Sequence, residues 1–533
     1  MFGLFDKREL EKRTDNATTT TYTFNSFKTG EEFPPPVERE RISKYKRLKK
    51  TYRGKQAEVY ERAATLLKDT PHAPQLKTLY IAVNLADILV TKPADLLVGE
   101  PPSFESGLPD SSEAQKRLNY YVEENDLVKM IHENAIGNGY RGDAWFKVRY
   151  GYRQDFSEVK NVLSEDSYND YISQFNFEPI IEHVNAEYVF PEVSRGNVKS
   201  FKAVNICTVE YVVSKKEDIP FLNVERHIPG FIIYERYRQH EFEGGIDNSY
   251  GYPLQTFKIG EKVATGREED VVTTGVPNLL VHHIPYKSVD DEWEGEGGIE
   301  KIESLLAAIN DRIVQIDYIL WKHSDPNAYG PELEGADNSM RLGGVYIPIT
   351  NEDAKPGYMT WDGQLASAFK ELETLIALVF QQAETPQWLF GTVLGDNAGG
   401  TGTSHTDSAA IKARFMPILS KVKRIRTHYD KAIRDALYTC QLLDIAHGDF
   451  KFQAVYPKIN WQDGIPRSDK ELAEIMEIRT GKKSTIDVKS AIKRMDNVDD
   501  EKASEIISRI DNDTQRTEGF VNSSIFNEET GGE

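Results

Sequence analysis

Three stretches of this chain step their apolar residues alternately by four and by three, and no other feature of the sequence restricts the fold as tightly. The first runs Ile299, Ile302, Leu306, Ile309, Ile313, Ile316, Leu320 and ends at His323. The second is Leu365, Phe369, Leu372, Ile376, Val379 and Ala383, and the third is Ile411, Phe415, Ile418, Val422, Ile425, Tyr429, Ala432 and Ala436. Such spacing predicts α-helices that each offer one narrow seam to a partner. The first carries Glu300 and Glu303 in its opening turn and Lys322 and His323 in its last, which suits the helix dipole. Pro417 lies inside the third, but the seam keeps its phase through it, so a kink between Ala413 and Pro417 is expected and not a helix end.

What joins these helices is as telling. Between the first and second lies Ser324 to Gly363, with Gly330-Pro331, Gly343-Gly344 and Lys355-Pro356-Gly357 and two short strands expected at Val345–Ile349 and Gly357–Trp361. Ordered insertions of this size between long helices tend to be functional. Between the second and third lies Gly395-Asp396-Asn397-Ala398-Gly399-Gly400-Thr401-Gly402-Thr403, whose sole charge is Asp396. Such a loop is either a hinge or is held close to something.

The chain has 533 residues, enough for two to four domains. Its formal net charge of −20 argues against a protein that wraps nucleic acid, which needs a basic face. It does not argue against one that lets DNA pass without holding it. Cys207 and Cys440 stand in apolar contexts and read as buried, reduced thiols. No apolar run reaches 18 residues, so a soluble protein made in the cytoplasm, with no membrane association, is expected.

Residues 1–36 read as a flexible polar arm, and residues 37–68 as a charged helix. Its basic cluster, Arg39, Arg41, Lys44, Lys46, Arg47, Lys49, Lys50, Arg53 and Lys55, reads as a solvated face before it reads as a binding patch. Helices follow at Leu76–Val98, kinked at Pro93, and at Glu113–Asn138. From Asp143 the period turns to two, with strands at Ala144–Tyr150, Pro179–His183, Ala203–Val213, Ile232–Gln239, Tyr252–Ile259 and Leu279–Ile284, a mostly antiparallel region. Its aromatics, Trp145, Tyr188, Phe190, Tyr234 and Tyr237, read as core. The acidic run Asp290 to Gly298 lacks the order of a calcium loop. A strand at Phe450–Ile459 and three short helices close the chain. Ser468-x-x-Glu471 and Ser484-x-x-Asp487 read as capping boxes for the first two, and the polar tail 511–533 reads as disordered.

Catalytic signatures are missing. Gly395 to Gly400 has Walker spacing, but Thr401 stands where the phosphate-binding lysine belongs. His282 and His283 are adjacent on a strand, so they face opposite ways and cannot share a metal. The reading is of a non-enzyme with no catalytic residues, cofactor or metal site. The third seam helix carries eight basic against three acidic side chains, which suits an acidic neighbouring subunit better than DNA.

The order of the parts resembles the tailed-bacteriophage portal proteins of siphophage type. The resemblance is carried by Leu97-Val98-Gly99-Glu100-Pro101-Pro102, Ile284-Pro285-Tyr286, Gly297-Gly298-Ile299-Glu300, Trp361-Asp362-Gly363, Gly400-Thr401-Gly402-Thr403-Ser404 and Trp461-Gln462-Asp463-Gly464-Ile465-Pro466, spanning about residues 75–510. It implies an α+β portal fold. A wing of helices and mostly antiparallel sheet would take 37–298 with 443–466, and a long-helix stem 299–323 and 364–385. A small clip would take 324–363, a tunnel loop 386–403, a long kinked helix 404–442 and a helical crown 467–510.

The same resemblance implies a homo-oligomeric ring of about twelve copies at one capsid vertex of the virion, assembled in the host cytoplasm. Double-stranded DNA would be packaged and ejected through it. Partners would be the terminase large subunit, head-completion or adaptor proteins, and major capsid and scaffolding proteins. On this reading Asn397, Gly399, Gly400, Thr401, Gly402 and Thr403 face DNA in the tunnel. Asn327, Tyr329, Arg341, Tyr346, Lys355 and Tyr358 form the clip's partner surface. Ile302, Leu306, Ile309, Ile313, Phe369, Leu372, Ile376, Ile411, Phe415, Ile418 and Val422 form the subunit seam, and Pro417 the kink. A non-viral coiled-coil scaffold would suit the seams alone, and a nucleotide-dependent enzyme is the weaker alternative.

Overall fold

The computed structural model describes residues 27–54, 82–213, 218–323, 327–331, 346–349, 355–358, 365–390, 408–448, 450–462, 469–481, 484–496, 498 and 500–525. Its helices are α1 (Arg39–Tyr52), α2 (Leu85–Val98), α3 (Glu113–Glu124), α4 (Leu127–Arg141), α5 (Ser157–Val162), α6 (Glu165–Ile172), α7 (Glu303–His323), α8 (Leu365–Gln382), α9 (Ser408–His447), α10 (Asp469–Thr480), α11 (Val488–Asp496) and α12 (Asp500–Ile525). The strands are β1 (Glu32–Phe33), β2 (Ser103–Glu105), β3 (Asp143–Gly151), β4 (Glu178–Val184), β5 (Val189–Ser194), β6 (Asn197–Val213), β7 (Asp218–Ile228), β8 (Phe231–Asp247), β9 (Leu254–Val263), β10 (Val271–Thr273), β11 (Val281–Pro285), β12 (Ala328–Pro331), β13 (Tyr346–Ile349), β14 (Gly357–Tyr358) and β15 (Lys458–Asn460). This is an α+β mixture.

The largest sheet is antiparallel in the order β1-β9-β8-β7-β6-β5, with β10 pairing the start of β8. A second antiparallel sheet runs β11-β3-β4. Along β6 the side chains alternate between two cores. Val204 and Ile206 join Tyr45 and Trp145, while Cys207 joins Leu222, Val224 and Tyr237 from the neighbouring strands. Strands β5 and β7 escape the sequence reading because Pro191 and Pro220 interrupt them, although β7 alternates Leu222 and Val224 inward. Tyr188, expected in the core, is 47% exposed.

α9 is the axis of the molecule. Ile418, Val422, Ile425, Tyr429, Ile433, Leu437 and Cys440 are buried in one cluster with Leu97 of α2, Leu118 of α3, Ile131 of α4 and Phe146 of β3. The helix runs unbroken through Pro417, which is exposed, so the hydrogen bond it forfeits is on the watered side. α2 likewise continues through Pro93. The expected helix at Glu113–Asn138 is two helices. Asp126 adopts φ +45°, and the side-chain Nδ2 of Asn125 donates to the Tyr121 carbonyl at 2.8 Å, terminating α3.

Near the C-terminus, the expected strand at Phe450–Ile459 reduces to β15, which pairs with β2. α11 begins at Val488, with Asp487 Oδ2 accepting from the Ser490 amide at 3.0 Å, so Asp487 is the cap and not Ser484. Ser468 lies outside the described residues. α12 continues to Ile525, well into the stretch expected to be disordered. Among the described residues no helix is long and apolar enough to cross a membrane.

His282 and His283 do face opposite ways. His283 Nε2 lies 2.7 Å from Asp143 Oδ1. His282 points toward α9, its Nε2 shielded and without a hydrogen-bond partner, and burial holds its pKa down at about 4. The unfolded imidazole titrates near 6.5, so between pH 6.5 and 4 the unfolded chain binds the extra proton and stability falls on acidification. About 2–3 kcal/mol should be lost across that window. In His282→Leu this dependence should flatten, read as urea midpoints at pH 7 and pH 5.

Candidate subunit and channel surfaces

α7 and α8 return alongside one another, with the 324–363 insertion between them. Near their base the seam is filled from within the chain: Ile302, Leu306 and Ile309 are buried with Val379 and Phe380 of α8, Ala383 just after it, and Leu89 and Val90 of α2. Ile313, Leu372 and Ile376 are partly buried against the same cluster. Arg312 spans to Glu371 Oε1 at 2.5 Å. Further out the pair is bare, with Phe369 45% and Leu320 46% exposed. On α9, Ile418 and Val422 are buried inside the chain and Phe415 packs partly against them, while the side chain of Ile411 lies outside the described residues. Periodicity marked these faces correctly, but the partner of most of them is this chain's own α2, α8 and sheet.

The insertion carries a three-stranded sheet in which β12 pairs with β13 in parallel and with β14 antiparallel. Tyr329 and Tyr346 are strand residues, and Tyr346 Oη donates to the Pro331 carbonyl at 2.7 Å. Tyr358 is 60% and Ile347 39% exposed. Asn327 and Lys355 flank the strands, and Arg341 lies outside the described residues. So does the whole glycine-rich loop, with Asn397, Gly399, Gly400, Thr401, Gly402 and Thr403.

The basic helix α1 is not a solvated face. Arg41 is fully buried: its Nε meets Glu38 at 2.6 Å, and its terminal nitrogens donate to the carbonyls of Ala186 and Val189. The guanidinium also lies over the rings of Tyr45, Phe190 and Trp293. Lys44 pairs with Glu294 and Glu300, and Arg47 with Glu303. Glu294 of the acidic run, with Glu300 and Glu303 just after it, supplies the counter-charge of α1, and the run delivers the chain into α7. The buried carboxylate of Asp143 ties this region to β3, accepting from Tyr45 Oη, from the Gly295 amide at 2.8 Å, and pairing with His283. Only the Glu38–Arg41 spacing was visible in the sequence; the rest joins residues far apart in the chain.

The charges of α9 find acceptors at home. Arg424 bonds both carboxylate oxygens of Glu384 at 2.6 Å, and Arg426 donates to the Leu96 carbonyl at 3.0 Å. Lys421 is buried and donates to the Ala383 carbonyl at 2.9 Å, at the end of α8. Desolvation lowers its pKa to about 8, with Glu384 opposing. Among the described residues no group of His, Cys, Asp and Glu is placed to hold a metal.

Comparison with known families places a match on this framework. Residues 36–207 match the family described as phage portal protein, SPP1 Gp6-like. The curated proteins contain no match. The matched segment covers α1 to α6 and the strands from β2 to the middle of β6. Over this segment, about a third of its length, the chain is similar to phage portal proteins.

Proposed function

We propose that about twelve copies of this chain assemble into a closed ring at one capsid vertex, through which double-stranded DNA is packaged and later ejected. The observation that carries this reading is the family match, which belongs to a structural, capsid-associated oligomer. The half-bare helix pair α7–α8 supports it. Phe369 and Leu320, at the outer end of the pair, leave apolar surface that a neighbouring copy would cover. In the ring, the region 37–298 with 443–466 serves as the wing and α7 with α8 as the stem. The sheet β12–β14 serves as the clip, offering Tyr329, Tyr346, Tyr358 and Lys355 to the terminase during packaging and to adaptor proteins afterwards. The loop containing Gly399, Gly400 and Gly402 faces DNA, and α10–α12 crown the assembly. The overall charge of −20 favours a lining over which DNA slides without being held.

Negative-stain microscopy of the purified chain should show rings with a central hole; rods or dimers would overturn the reading. Replacing Gly400 and Gly402 together by alanine should cut DNA packaging several-fold while rings still form. Loss of the rings themselves would instead assign that loop to assembly.

A further inference from the structure

A pocket opens where the start of α7, the end of α8 and the middle of α9 meet, lined by Tyr286, Gly297, Lys301, Glu384, Lys421 and Arg424 among others. We propose that it binds a small oxyanion of the phosphate class. Two buried donors converge on it without enough acceptors. Lys421 is 5% exposed, and among the described residues its ammonium has the Ala383 carbonyl as hydrogen-bond partner and no carboxylate in ion-pair range. An ammonium carries three donors, so a single carbonyl leaves it under-satisfied. Tyr286 is 6% exposed, and its hydroxyl has no hydrogen-bond partner among the described residues. Lys421 Nζ stands 5.8 Å from the centre of the Tyr286 ring, so both groups serve one cavity.

The rim repeats the sign. Lys287 and Lys301 both bind Glu296, at 3.3 and 2.7 Å, and Arg424 binds Glu384. The lining therefore holds four cations against two carboxylates, and both carboxylates are already engaged. A tetrahedral oxyanion would accept from Lys421 and Tyr286 together and meet the excess positive charge, whereas a cation would meet repulsion and no free carboxylate. Gly298 allows the Tyr286 hydroxyl its place, since a methyl group there would stand 3.0 Å from that oxygen.

Isothermal titration of the full-length protein with inorganic phosphate at pH 7 and low salt should show saturable binding, one site per chain. Lys421→Met should weaken it about tenfold, the worth of one charge-assisted hydrogen bond. Tyr286→Phe, which removes one oxygen atom and keeps the ring, should weaken it several-fold while the circular dichroism spectrum is unchanged. A short DNA duplex added in competition separates the sources: displacement of phosphate identifies the DNA backbone as the ligand, and no displacement identifies the free ion. Absence of saturable binding to the parent protein, or equal binding by parent and both variants, would overturn the proposal.

Discussion

Arg41→Ala is expected to lower stability by about 3–5 kcal/mol, the cost of stranding a buried charge by removing its partner. The stranded group is Glu38, itself only 6% exposed. The carbonyls of Ala186 and Val189 lose their donor at the same time, and the rings of Tyr45, Phe190 and Trp293 lose the cation between them. Because this side chain pins α1 against both the large sheet and the acidic run ahead of α7, the loss should also reduce ring yield. Arg41→Lys keeps the charge but cannot serve three acceptors with a fork, so it should recover less than half. Glu38→Gln combined with Arg41→Met should be more stable than Arg41→Met alone, because the double variant buries no unpaired charge. Urea midpoints of these four chains decide the matter; if the double variant is no better than the single, the ion pair is not the source of the effect.

Gly142→Ala is expected to cost more than 3 kcal/mol and to prevent recovery of folded protein at 37 °C, by an estimate of roughly 1–2 kcal/mol for the left-handed backbone plus a clash that cannot relax. Gly142 has φ +97°, and a methyl group there would stand 2.4 Å from the Gly295 carbonyl oxygen and 2.8 Å from the Gly297 amide nitrogen. Both obstacles are backbone. They are held in turn by the Gly295 amide on Asp143, by Tyr286 N–H on the Gly142 carbonyl at 2.7 Å and by Gly298 N–H on the Gly139 carbonyl at 2.7 Å. Gly107→Ala is the control: its φ is +78° but nothing lies within 4 Å, so it should cost only the backbone strain, about 1 kcal/mol. Comparable yields and melting temperatures for the two variants would show that the close approach between Gly142 and the 295–297 segment is not what seats α7.

Local signals carried some parts of the structure and failed at others for identifiable reasons. Helices α7, α8 and α9 were legible because their seams repeat over many turns, and a long repeat is hard to mistake. β3, β4 and β8 were legible by alternation. The break at Asp126 was not, because a single left-handed residue leaves no trace in periodicity. The basic face of α1 was misread because charge was judged by residue type, and the anions that pair with it, Glu294, Glu300 and Glu303, lie some 250 positions away. Of the candidate site, strands β13 and β14 were anticipated at Val345–Ile349 and Gly357–Trp361, but the central strand β12 was not. The pairing of Lys421 with Tyr286 was not, since Tyr286 stood out only within Ile284-Pro285-Tyr286 and Lys421 only as one of eight basic residues of the third seam helix.

By itself the sequence determined the α+β class, the positions of the seam helices, the insertion between α7 and α8, and the lack of a phosphate-binding lysine at Thr401. These follow from spacing and residue type, which are local properties. Only the tertiary structure decided what each face meets. Ile302, Leu306 and Ile309 meet α2 and α8 of the same chain, Phe369 and Leu320 meet solvent, and Arg41 lies fully buried among carbonyls and rings. Periodicity states that a face must be covered; it does not name the cover, because that depends on which distant segments the folded chain brings against it.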